Sequence, residues 1–156
     1  MSTIKTSDLT GAALDWAVAK ACGLIDAEVL IRRAKSKAVV IDVESKTLFD
    51  MRFGRDWRPS HAGEQGGPII EREGIATRKH GSGIWYAMAQ ADVGDGQRSD
   101  WHEFTWRNPH HYPDYPHEAY KRRQRFSGPT ALIAAMRCYV ASKLGPEVEV
   151  PQELLA

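Results

Sequence analysis

The residues best suited to holding a ligand are two tryptophans, three arginines and a pair of glycines. Trp57 and Trp85 could sandwich a flat base, and Arg55, Arg58 and Arg137 could meet phosphates. Gln65 leads into Gly66-Gly67, where the lack of side chains would let backbone N–H groups approach a ligand closely. One aromatic–base stack contributes on the order of 1–3 kcal/mol, so two stacks with two charge-assisted contacts would suffice for tight nucleotide binding. A further wall comes from Gly128-Pro129-Thr130. With Pro129 as the first residue of a helix, the amides of Thr130 and Ala131 and the Thr130 hydroxyl would face a phosphate or carboxylate at the positive end of the helix dipole. The plainer reading makes the tryptophans core anchors and the helix start an ordinary cap.

Other groupings carry less. His102, His110, His111 and His117 lie near Asp100, Glu103, Asp114 and Glu118, and imidazole with carboxylate is zinc chemistry. The spacing fits no zinc pattern, because Trp106 stands where a second histidine would follow His102-Glu103. Lys121-Arg122-Arg123-Gln124-Arg125 follows Trp101, Trp106, Tyr112, Tyr115 and Tyr120, and interleaved cations and aromatics suit single-stranded nucleic acid. Such a run also serves as a solvated face. Glu71 and Glu73 would share a face in a strand but not in a helix. There is no nucleophile elbow, phosphate-loop lysine or cysteine–histidine signature.

These residues must be placed by regular elements. From Thr10 to Cys22, Leu14, Ala17, Val18 and Ala21 recur at helical spacing, with Ser7, Asp8 and Thr10 as caps and Gly23 as a stop. A short helical turn follows over Asp26 to Arg33. Ala38 to Val43 and Thr47 to Phe53 form a hairpin across Glu44-Ser45-Lys46, the second run alternating Phe49, Met51 and Phe53 against Leu48, Asp50 and Arg52. Gly54 to Gly67 is a loop by composition, and Pro68 opens a helical turn that Gly74 ends. Ile75 to Lys79 and Ile84 to Ala89 flank His80-Gly81-Ser82-Gly83 as a second hairpin. Regular pattern is absent from Asp92 to Phe126. Ser127 to Gly145 then reads as a helix and Glu147 to Val150 as a strand. The expected fold is α+β: a single domain over 1–156, with an antiparallel sheet of two hairpins packed on an N-terminal and a C-terminal helix. An irregular aromatic and histidine-rich insertion occupies 90–127.

Composition bounds the function. A chain of 156 residues, 42% hydrophobic and 26% charged, can bury one core. With a net charge of +1, no global field draws it to nucleic acid or to an acidic membrane. Cys22 and Cys138 sit on helical patterns as free buried thiols, the usual state in a reducing cytoplasm. Neither a signal peptide nor a bilayer-spanning window is present, so a cytoplasmic location is expected.

Three stretches in order are the basis of a family resemblance: Leu9-Thr10-Gly11-Ala12-Ala13-Leu14-Asp15-Trp16-Ala17-Val18-Ala19, Gln65-Gly66-Gly67-Pro68-Ile69-Ile70-Glu71-Arg72-Glu73, and Gly128-Pro129-Thr130 through Val150. With them the chain resembles the phage NinX-like family of small proteins of unknown function, and Asp56-Trp57 and Trp85 also match family positions. It departs in the length of Arg58 to Glu64, in the segment Gln90 to Ser127, and at Ala131, where the family often has a second proline. The resemblance implies a phage or prophage origin, and such accessory proteins act on host defences, nucleic-acid metabolism or regulators. Joined to the pocket residues, it leads to the expectation of a non-catalytic phage accessory protein in the host cell, without cofactor or metal. It would bind and sequester a small nucleotide-derived ligand, such as a host immune signalling molecule, in a pocket between protomers of a homo-oligomer. A nucleic-acid accessory factor using the basic run, and a metal-assisted nucleotide hydrolase using the histidines, are the alternatives.

Overall fold

The computed structural model describes residues 1–25, 38–42, 44–89 and 125–155. Among these, helices α1 (Gly11–Ala21), α2 (Gly63–Glu73) and α3 (Ala131–Leu144) are joined by eight short strands. The strands are β1 (Ser2–Lys5), β2 (Val39–Asp42), β3 (Thr47–Asp50), β4 (Arg55–Asp56), β5 (Ile75–Lys79), β6 (Trp85–Ala89), β7 (Phe126–Gly128) and β8 (Glu147–Val150). The α+β class holds, but the two hairpins lie in separate antiparallel sheets, β2-β3-β4 and β5-β6-β7, and β1 pairs with β8 in another. Each hairpin gains a third strand that sequence periodicity missed, because β4 and β7 are too short to show alternation.

α3 is the organising element, packing on α1, α2, β5, β6 and β7. Ile133 through Val140 are all buried, so the helix is enclosed on every side, as its nearly uniform apolar run requires. α1 is similar, with Ala13 to Ala19 buried and a left-handed Gly23 (φ 72°) just beyond its end. Trp16, Leu14, Met136 and Val140 form the centre. Cys138 is buried and Cys22 half-buried; neither is in a disulfide, and Cys22 Sγ lies 3.5 Å from Tyr139 Oη.

Three local expectations are corrected. β3 ends at Asp50, and residues 51–54 form a turn. Leu48 and Asp50 are the buried face there, while Met51 and Phe53 point to solvent. α2 begins at Gly63, so Gly66-Gly67 are helical rather than loop, and Pro68 sits inside the helix. The amides of Gln65 and Gly66 both donate to Ala62 O at 3.0 Å, which starts the helix one turn earlier than glycine content suggests. Thr130 is the N-cap of α3, leaving Pro129 outside the helix. The proposed turn at 26–33 lies outside the described residues. No helix among the described residues is long and apolar enough to cross a membrane.

Candidate functional site

The expected ligand residues fall into two groups. The first surrounds Trp57, which is 6% exposed and belongs to the core. Its Nε1 donates to the Asp15 carbonyl at 2.9 Å, so the indole joins β4 to α1 and has no face open to a base. Next to it the Asp15 carboxylate is also buried and accepts from Ser60 N at 2.8 Å. Burial pushes the Asp15 carboxyl up to about 6, against the opposing pull of the Ser60 hydrogen bonds and the charges of His61 and Arg58. Ser60 Oγ in turn lies 2.8 Å from His61 Nδ1, which makes a short polar chain from the interior to the surface. Gln65 closes the loop: its Oε1 accepts from Arg58 N at 2.6 Å and its Nε2 donates to Asp56 O at 2.7 Å. The Arg58 side chain is exposed, as is His61.

Gly66 is a packing glycine. A Cβ there would collide with the Pro59 carbonyl oxygen and come within 2.8 Å of Leu132 Cδ2, so it lets α2 approach both the 57–60 segment and α3. Gly67 meets nothing within 4 Å. The amide of Gly66 donates within the helix, to Ala62 O.

The second group surrounds the start of α3. The Thr130 hydroxyl accepts from Ile133 N at 3.2 Å and so caps the helix itself. A Cβ on Gly128 would lie 2.8 Å from Ala134 N, which explains the glycine by packing of β7 on α3. Opposite Gly128 in the sheet stands Trp85, half-buried against the core. Arg137 is buried and donates from Nε to Leu9 O at 2.9 Å and from Nη1 to Ser127 O at 2.7 Å. Burial lowers its pKa from the usual arginine value, partly offset by Asp8. It ties β7 and the segment before α1 to α3. Trp57 lies just past β4 of one sheet and Trp85 lies in β6 of another, so the expected residues fall at two separate places.

A groove of about 580 Å³ lies instead at the start of α1. Ile4, Leu9 and Leu154 give it apolar lining, Lys5 and Lys46 bring cations, and Gly11 to Ala13 present the first turn of the helix. The Thr10 side chain does not cap α1, and the first bond closing the helix is Leu14 N to Thr10 O at 3.2 Å. The amides of Gly11, Ala12 and Ala13 precede that bond, so they have no acceptor within the helix. Sequence reasoning missed this groove because its lining comes from β1, α1, the β2–β3 turn and the C-terminal segment. In that turn Lys46 takes the left-handed conformation (φ 55°).

The histidine-rich residues His102, His110, His111 and His117 and the basic residues Lys121 to Arg123 lie outside the described residues. Among the described residues no three His, Cys, Asp or Glu side chains cluster as metal ligands. Arg125 is described, with its guanidinium over the Tyr86 ring at 4.8 Å. No curated protein matches the chain. A family model described as Bacteriophage P22, NinX matches residues 5–105, a span that holds α1, the two hairpins and α2 but not α3. By that match the chain belongs to the bacteriophage P22 NinX family.

Proposed function

We propose that this phage accessory protein binds and sequesters a small anionic, nucleotide-derived ligand, such as a host immune signalling molecule, in the groove at the start of α1. The observation that carries the reading is the groove itself: its volume suits a nucleotide, and its lining combines apolar surface with two ammonium groups and the first amides of α1. Asp8, the carboxylate of that lining among the described residues, disfavours a fully charged ligand close to it and favours one whose anion sits toward Lys5 and Lys46. Of the arginines expected from sequence, Arg55 and Arg58 are exposed and Arg137 is buried. A homo-oligomer is part of the proposal, since a chain this small gains enclosure by burying a ligand between copies.

Thermal unfolding with a panel of cyclic and ADP-ribose-type nucleotides tests the reading. A ligand present at about 100 times its Kd adds about 2.7 kcal/mol, a rise of several degrees in the midpoint. Lys5→Ala with Lys46→Ala abolishes that rise without altering the unliganded midpoint. Ligand released by heating has its original mass if the protein sequesters rather than cleaves. No rise with any of the nucleotides at millimolar concentration overturns the proposal.

A further inference from the structure

The turn between β3 and β4 displays two large apolar side chains within three residues: Met51 is 60% exposed and Phe53 65% exposed. The turn is firmly built. Asp50, 1% exposed, accepts at Oδ1 from Arg52 N at 3.0 Å and from Arg52 Nε at 3.1 Å, and at Oδ2 from Arg52 Nη2 at 3.0 Å. Its carbonyl accepts from Gly54 N at 2.9 Å, and Gly54 takes the left-handed conformation (φ 64°) that closes the turn. The Arg52 guanidinium, fixed by that carboxylate, lies 5.3 Å from the Phe53 ring centroid and 5.9 Å from that of buried Trp57. The Arg55 guanidinium lies 5.2 Å from the same Phe53 ring. A buried carboxylate thus uses its hydrogen-bonding capacity to hold an exposed aromatic ring between arginines, which lowers the ordering entropy that docking would otherwise require.

We propose that the Met51–Phe53 turn is a docking surface for a protein partner whose apolar pocket receives the Phe53 ring and whose carboxylates rim that pocket to meet Arg52 and Arg55. Charge decides the class of partner. Between residues 50 and 64, Arg52, Arg55 and Arg58 are matched by Asp50, Asp56 and Glu64, with Arg55 Nη1 3.5 Å from Glu64 Oε1. A patch whose formal charges cancel releases few counterions and so has little hold on a polyanion. Phenylalanine, methionine and arginine together are instead the residue types concentrated at protein interfaces. Arg52 gives its Nε and Nη2 to Asp50 and Arg55 Nη1 lies near Glu64, and the remaining N–H groups of both guanidiniums supply donors for carboxylates. This surface lies apart from the groove, and the proposal does not depend on nucleotide binding.

The experiment selects peptides from a random displayed library on the full-length chain and measures the winners by fluorescence anisotropy. The same chain is titrated with a labelled oligothymidine and examined by sedimentation velocity. The expected result is a consensus of apolar residues flanked by Asp or Glu, bound at least ~10-fold more weakly by Phe53→Ser and by Arg55→Ala. Both side chains are exposed, and the unfolding midpoint of each variant confirms that the fold is retained. Three results each overturn the proposal: no acidic-apolar consensus, a consensus bound equally by Phe53→Ser, or salt-dependent oligothymidine binding lost in Phe53→Ser. Self-association lost in Phe53→Ser also overturns it, by assigning the turn to a second copy of this chain.

Discussion

Asp15 is the residue whose chemistry the fold alters most. Its folded pKa of about 6 stands above the ordinary carboxyl value of 3.8. The contribution of its neutral form to stability is therefore complete below about pH 4 and is lost as pH rises through 6. At pH 7 the buried carboxylate destabilises the fold by up to about 3 kcal/mol relative to its protonated form. Asp15→Asn keeps an oxygen to accept from Ser60 N and cannot ionise. Urea unfolding should show its stability gain over the wild type growing from nearly nothing at pH 4 to about 1–3 kcal/mol at pH 7. A gain that does not change with pH refutes the burial argument. The double glycine offers a second test, because its two members have opposite surroundings. Gly66→Ala forces a methyl group against the Pro59 carbonyl and should lose about 1–3 kcal/mol. Gly67→Ala adds a methyl group to a helix in open space and should gain about 0.5–1 kcal/mol. Equal effects at both positions would contradict the packing role assigned to Gly66.

At the scale of elements, α3 holds the fold together through its ends as well as its buried middle. Arg137 reaches from its second turn to carbonyls of two other segments, Leu9 and Ser127. Arg137→Met leaves both oxygens without that donor in a buried setting and should cost about 3 kcal/mol, measured as a shift in the denaturant midpoint at constant slope. Thr130→Ala removes the cap and should cost about 1 kcal/mol, by the same amount with or without added phosphate. A loss that appears only with phosphate present would return the hydroxyl to the ligand role read from sequence.

At the scale of the whole molecule, the two ends of the chain are paired. β1 lies along β8 with Ser2 opposite Val150 and Lys5 opposite Glu147. Buried Thr6 continues the join, its N and Oγ1 donating at 2.8 Å to Pro146 O and Gly145 O. Deleting residues 1–5 unpairs β8 and uncovers Val148 and Val150, and the thermal midpoint should fall by on the order of 10 °C. An unchanged midpoint would mean the terminal sheet contributes nothing to cooperative folding. The α+β class, both hairpins, α1 and the body of α3 were legible in the sequence, because each rests on local periodicity or turn chemistry that a short window contains. The resemblance carried by 9–19 and 65–73 was legible too, and the family match covers both stretches. What periodicity could not decide was direction and neighbour. Trp57, Arg137 and Gly66 have the residue types of a ligand site, but they pack against partners far along the chain: Asp15 for Trp57, Leu9 for Arg137, Leu132 for Gly66. The groove at α1 was equally hidden, since its lining is drawn from segments more than a hundred residues apart in the chain. Sequence by itself determined which elements form, because their signals are short-range. Only the tertiary structure decided which polar and aromatic groups face solvent, because burial depends on which distant segment lies alongside.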